Sequence, residues 1–234
     1  MIKGIDTAAS ISLEAAKKLY AIGYRFAGRY IVPEAGVLKS KALTANEAKN
    51  ILDAGLAILP IWETTGSRAR GGASAGNADG VSALNRAREL GIPEGTILVF
   101  TVDYNAPVGD YSLIEAYLRA ARRQIGNYRL GLYAPSAVIR EYGKIADWCW
   151  RTYAWNTGGA IDTDAYQTHY QDLMSAKSVQ AKVGFPVDLD EAKSVELMWK
   201  KEQDALEWAK SNKITDDPAL AQAIWNYHHR FHES

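Results

Sequence analysis

The sequence predicts an α/β fold: a TIM-type (β/α)8 barrel, irregular in its second half, with a C-terminal helical appendage. Three observations lead there. Strand-like runs alternate with helical periodicity up to about residue 190, eight such runs are present, and four acids each sit at the downstream end of one. These acids are Asp6 after Gly4-Ile5, Glu63 after Ala57–Trp62, Asp103 after residues 97–102, and Asp188 after residues 185–187. In a parallel barrel all strand ends of one polarity open on one face, so acids far apart in sequence share one pocket. A single acid reads as readily as a helix cap or turn former. Four in register with four strands point to an active site.

The elements follow in chain order. Strands are expected at residues 4–6, 24–30, 57–62, 96–102, 129–134, 151–155, 165–168 and 185–189. Amphipathic helices are expected at Leu13–Ala21, at 44–54 with a Thr44-x-x-Glu47 capping box, at 78–90 and at 111–125. Gly23, Gly55, Gly91 and Gly126 follow as left-handed caps. Later units are thinner: Ser136–Tyr142 reads as a short helix and 158–164 as mostly loop. Residues 64–80 (TTGSRARGGASAGNADG) directly follow Glu63 and read as a long loop over the barrel mouth, a lid or a substrate platform. Their glycines do not make a phosphate cradle, because GxxxxGK[ST] is absent.

After residue 193 the texture turns helical, over 195–211 and 218–232, with Asp216 or Asp217 as cap and Pro218 in a first turn. The domain division expected is 1–195 for the barrel and 196–234 for a helical extension. Leu206, Trp208, Leu220, Ile224, Trp225 and Tyr227 give that extension an apolar side, which packs on its own barrel or docks a protein partner.

Lys plus Arg (27) balances Asp plus Glu (27), so no net field gathers nucleic acid or an anionic membrane, and neither is expected as a partner. Cys149 is the single cysteine, which excludes an internal disulfide and reads as a buried, inert thiol. His228, His229 and His232 face different ways on a helix with no acid to complete a metal set, and only His169 precedes them, so no metal is expected. No cofactor motif appears. The N-terminus enters a strand at once, without a basic apolar leader. The expectation is a chain made in the cytoplasm without a signal peptide, acting at a cell wall only after release.

Clustered carboxyls suit glycosidic cleavage, whose oxocarbenium-like transition state needs one acid to protonate the leaving oxygen and another as nucleophile, base or stabiliser. Crowding by other carboxylates and aromatic walls raises the pKa of the acid, and Glu63 beside Trp62 is the candidate. The 13 Tyr and 7 Trp against 4 Phe fit a sugar ligand, because sugar C–H faces stack on rings whose polar tips bind hydroxyls. Tyr30, Trp62, Tyr104, Tyr133, Trp155 and Tyr166 lie at expected strand ends, where barrel packing is the competing reading. Arg29 and Gln167 add polar donors, or else a salt bridge and a satisfied buried amide.

The phrases GIDTAAS (4–10), RFAGRYI (25–31), ALTANEAKNILDAGLAILPIW (42–62), ARELGIPEGTILVFTVDYN (87–105), RLGLYAPSAVI (129–139) and PVDLD (186–190) resemble the glycoside-hydrolase-like domain once catalogued as domain of unknown function 1906. That family is similar to the family 25 lysozymes, barrels that cleave peptidoglycan glycan strands. The resemblance spans about residues 2–195. It implies that Asp6 matches the acid ending the first strand, Asp103 the first acid of a D-x-E motif, Tyr166-Gln167 an aromatic-Gln pair, and Asp188 the acid of a closing V-D-x-N. Asn105 stands where that D-x-E motif carries its catalytic Glu, and an amide donates no acidic proton. Asn105 is then a substrate contact. Three readings stand: Glu63 supplies the acid from the neighbouring strand, an inverting geometry uses Glu63 with Asp103 or Asp6 across a wider gap for water, or the barrel binds cell-wall glycan without turnover, as in a phage or surface assembly.

Overall fold

The computed structural model describes residues 1–155, 159, 161–169, 174–201, 217–220, 222 and 224. The chain divides into two units, Met1–Lys200 and Lys201–Ser234. In the first, eight strands close a barrel in sequence order: β1 (Ile2–Asp6), β2 (Phe26–Tyr30), β3 (Ala57–Trp62), β4 (Ile97–Thr101), β5 (Arg129–Ala134), β6 (Trp148–Arg151), β7 (Ala165–His169) and β8 (Asp188–Ala192). Outside lie α1 (Leu13–Ala21), α2 (Ala45–Asp53), α3 (Gly72–Glu89), α4 (Tyr111–Gln124), α5 (Ser136–Tyr142) and α6 (Met174–Val183), the last not anticipated from the sequence. This is the expected TIM-type α/β barrel.

Its sheet is mixed. Strands β1 to β7 run parallel, but β8 is antiparallel to both β7 and β1, with Asp6 opposite Asp188. The acid Asp188 therefore opens a reversed strand, rather than following a parallel one at 185–187 as the sequence suggested. Reversal puts the N-terminal end of β8 on the face where the other strands end, so Asp188 still reaches the mouth. Strand β6 also differs: it lies at Trp148–Arg151, upstream of the expected 151–155, and Trp155 sits beyond it with φ 56°.

Two apolar layers fill the barrel wall. Inward residues Phe26, Leu59, Ile61, Val99, Trp148 and Trp150 pack the interior, while Ile5, Ile58, Leu98, Phe100 and Leu132 meet the helices. Large inward rings need small neighbours. A Cβ on Gly4 would lie 2.1 Å from the Phe26 ring, and one on Gly131 would lie 2.6 Å from Ile97. The opposite end from the mouth is closed by residues 195–200, which the sequence placed in a helix. Trp199 instead bridges Ile58 through backbone hydrogen bonds of 2.8 and 2.9 Å, Leu197 accepts from the Ile97 N–H at 2.9 Å, and Met198 enters the interior cluster.

The Gly/Ser/Ala-rich segment is mostly helix, not a long loop. Helix α3 starts at Gly72, after a short 3₁₀ turn at Arg68–Gly71. Gly76 and Gly80 lie on its α4 side, where an added Cβ would come within 2.2 Å of the Tyr117 carbonyl oxygen and 2.8 Å of that of Ala121. Small residues here serve close helix packing. Thr44 caps α2, accepting from the Glu47 N–H at 3.1 Å, but the Glu47 side chain does not complete a capping box. It turns to Arg29 and to the Ile11 N–H instead.

In the second unit, residues 218–220 are helical and Asp217 accepts from the N–H groups of Ala219 and Leu220 at 2.8 and 3.2 Å, so the expected cap is Asp217. Residues 202–216, Trp225, Tyr227 and the three histidines of the expected extension lie outside the described residues. Among the described residues, no helix is long and apolar enough to cross a membrane.

Candidate active site

The mouth is built from strand ends. Alternation along β1 turns Ile2, Gly4 and Asp6 inward, and along β8 it turns Asp188, Asp190 and Ala192 inward. Asp6, Asp188 and Asp190 thus converge on one floor. The Gln167 amide, from β7, donates to Asp6 Oδ2 at 2.9 Å and to Asp188 Oδ2 at 3.1 Å, one N–H for each carboxyl. Its carbonyl oxygen accepts from the Tyr153 N–H at 3.1 Å and lies 3.0 Å from the Tyr133 hydroxyl. The Tyr133 hydroxyl is also 2.8 Å from Thr152 Oγ1.

Asp190 was not among the residues singled out from the sequence. Its signal was the V-D-L-D run, because acids two apart on a strand share a face. It is buried, takes the Trp150 indole N–H at 3.1 Å on Oδ1, and leaves Oδ2 without a donor. Its neighbour is the Asp6 carboxyl, so that contact closes only when one of the two holds a proton. Burial, then the Asp188 charge, pushes Asp6 up to about 8, against the Gln167 hydrogen bond. Burial and the Asp6 and Asp188 charges drive Asp190 well above the usual carboxylate range. The floor holds protons at neutral pH.

A second pair of acids stands on the adjacent ends of β3 and β4. Burial, then the charge of Glu63, raises Asp103, while the Trp155 indole donates to its Oδ1 at 3.0 Å and tempers the rise. Glu63 has a counter-ion: Lys41, from the 3₁₀ turn Gly36–Lys41, reaches it at 3.3 Å and also lies 4.4 Å from the Tyr30 ring centroid. Tyr30 is raised well above its ordinary value by burial and then by the charges of Asp6, Glu63, Asp103 and Asp188, which places its phenol among all four acids. Gly66 allows the loop after β3 to close on β4: its carbonyl accepts from the Asp103 N–H at 3.0 Å, and a Cβ there would lie 2.6 Å from the Asp103 carbonyl oxygen.

Of the residues expected at the site, Asp6, Glu63, Asp103, Asp188, Tyr30, Tyr133, Trp155 and Gln167 are brought together. Arg29 and Trp62 are not, since both point outward from their strands. Arg29 is fully buried against α2, bonded to Glu47 at 2.6 Å and to the Thr7 carbonyl, which is the salt-bridge reading of that residue. Trp62 packs in the shell between barrel and helices and therefore cannot wall Glu63. Asn105 is exposed in the loop beyond β4. Cys149 is pushed up to about 11 by burial and then by Asp164, as an unreactive thiol should be. Among the described residues, no group of His, Cys, Asp and Glu is placed to hold a metal.

The barrel is similar to the crystal structure of the Mycobacterium tuberculosis Tat-secreted protein Rv2525c in complex with L-tartrate, with a TM-score of 0.69 and 21% identity over 84% of this chain and 98% of that one. It is also similar to an uncharacterized Bacillus stearothermophilus protein, with a TM-score of 0.60 and 21% identity over 85% of this chain and all of that one (100%). In sequence it is 42% identical over 145 residues to the uncharacterized protein YbfG of Bacillus subtilis (strain 168), and 30% identical over 151 residues to FadG of the same strain. These matches cover 59% and 61% of this chain but only 20% and 26% of YbfG and FadG. The family model of the Rv2525c-like, glycoside hydrolase-like domain matches residues 17–234, and the chain belongs to that family.

Proposed function

We propose that the chain is a glycosidase that cleaves bacterial cell-wall glycan, peptidoglycan, at the mouth of the barrel. The observation that carries this is the pairing of Asp103 and Glu63 on neighbouring strand ends. Burial and then the Glu63 charge raise the Asp103 carboxyl above its ordinary value, which favours it as the proton donor, whereas Glu63 faces the Lys41 ammonium. Asp103 then protonates the leaving oxygen, and the Glu63 carboxylate acts on the opposite side as nucleophile, base or charge stabiliser. This exchanges the roles that the sequence suggested, where Glu63 was the acid. Asp6 and Asp188, tied by Gln167, present polar groups to sugar hydroxyls, and the half-exposed rings of Tyr153 and Trp155 offer stacking faces. Membership of a glycoside-hydrolase-like family supports the reaction class.

Asn105 favours a second reading, a barrel that binds glycan without turnover, because the strand-end loop after Asp103 carries an amide in place of a carboxyl. Release of reducing sugar from purified peptidoglycan by wild type, Asp103→Asn and Glu63→Gln, with pull-down on insoluble wall, separates the two. A glycosidase loses about 10²-fold or more in both variants while pull-down persists. Pull-down without turnover in all three selects the binding barrel. Loss of both properties in the wild type removes glycan as the ligand.

A further inference from the structure

Among the described residues Trp155 is the one non-glycine residue with a positive φ, 56°. A bulky side chain is disfavoured in that conformation, and where it persists the surroundings hold it there. The segment leading to it is tied down. The Thr152 N–H donates to the Ala134 carbonyl at 3.2 Å, and the Tyr153 N–H to the Gln167 side-chain oxygen at 3.1 Å. The chain then turns, and the Trp155 indole N–H donates to Asp103 Oδ1 at 3.0 Å. Asp103 follows β4 and Trp155 follows β6, so this bond spans the end of β5 between them.

Asp103 is therefore held twice. Its backbone N–H donates to the Gly66 carbonyl at 3.0 Å, which fixes the main chain, and the indole fixes the side chain. A protonated carboxyl has two unlike oxygens, a carbonyl oxygen that accepts well and a hydroxyl oxygen that carries the proton. An N–H aimed at Oδ1 favours Oδ1 as the carbonyl oxygen, which leaves the proton on Oδ2. The indole is a donor only, so it gives no support to a proton on Oδ1. Trp155 is half-exposed, and with its N–H spent on the acid its ring face stays open to the mouth.

We infer that Trp155 is a positioning residue for the proton donor: its indole N–H selects Oδ2 of Asp103 as the oxygen that delivers the proton, while its ring face receives the sugar. The inference deepens the glycosidase reading and rests on it. The two uses of the side chain are separable, because phenylalanine keeps the face and loses the N–H.

The test compares wild type with Trp155→Phe and Trp155→Ala by the pH dependence of turnover on solubilised peptidoglycan, alongside NMR titration of indole N–H groups in wild type and Asp103→Asn. Trp155→Phe should keep KM within about twofold and lower kcat about tenfold, the size of one hydrogen bond to an ionisable group. The indole lowers the Asp103 value, so its loss should move the alkaline limb of the profile to higher pH. Trp155→Ala loses the face as well and should also raise KM. The Trp155 indole resonance, recognised by its absence from Trp155→Phe, should move with a titration that Asp103→Asn removes. A Trp155→Phe profile that matches wild type, or a Trp155 indole indifferent to Asp103→Asn, overturns the inference and leaves the glycosidase reading standing. Absence of turnover in the wild type overturns both, and that result needs no variant.

Discussion

At the scale of single residues, the floor of the mouth ties protonation to stability. Folded Asp6 keeps its proton up to about 8, whereas the ordinary value is 3.8. Between those values the folded state binds more protons than the unfolded one, so this group's contribution is complete at low pH and is lost as pH rises through 8. Asp6→Asn keeps the shape and removes the titration. Melting temperatures from pH 4 to 8.5 should show a shallower decline in the variant, which melts above wild type at pH 8 and converges with it near pH 4. Parallel curves would mean that Asp6 is ionised in the fold. Arg29 gives the opposite case, an ion pair buried behind the mouth, where the guanidinium also holds the carbonyls of Thr7 and Lys41. Glu47→Ala strands that guanidinium and should cost about 3–5 kcal/mol in denaturant unfolding. Wall binding by the folded fraction should be intact, and a selective loss of binding would restore Arg29 to the site.

At the scale of elements, what the sequence made legible was whatever depends on local pattern. Apolar runs, the Thr44 cap and the glycines at 23, 55, 91 and 126, all with positive φ, located most strands and the early helices. Strand direction is not local. Nothing in PVDLD says that β8 runs backward, and only its pairing with β1 and β7 does. Inward and outward faces were equally hidden at Arg29 and Trp62, because a strand buried on both sides lacks the alternation that tells faces apart. The carboxylates were legible because each ends or begins a strand, and Asp190 escaped because it lies one pleat deeper. Helix α3 was misread because glycine signals a loop by propensity and close packing only by partner. Gly76→Ala tests that packing: with the Tyr117 carbonyl oxygen 2.2 Å from the new Cβ, α3 and α4 must separate, at a cost of about 1–3 kcal/mol. A neutral effect on thermal unfolding would mean that the two helices do not meet there.

At the scale of the whole molecule, the barrel gathers the carboxyls of its strand ends, Asp6, Glu63, Asp103, Asp188 and Asp190, at one end and closes the other with Leu197, Met198 and Trp199. Burial alone would make so many acids costly, and the fold offsets this by leaving protons on some and giving Glu63 the Lys41 ammonium. In the proposed reaction Asp103 and Glu63, side by side on neighbouring strand ends, serve as proton donor and partner carboxyl at a sugar acetal. The chain spans about a fifth and a quarter of the length of the two Bacillus subtilis relatives. The most direct measurement is mass spectrometry of purified peptidoglycan after digestion, counting new sugar reducing ends. The account predicts new ends at one type of glycosidic bond with wild type and none above background with Asp103→Asn. Equal yields from the two proteins, or no new ends from either while both bind the wall, would contradict catalysis by these carboxyls.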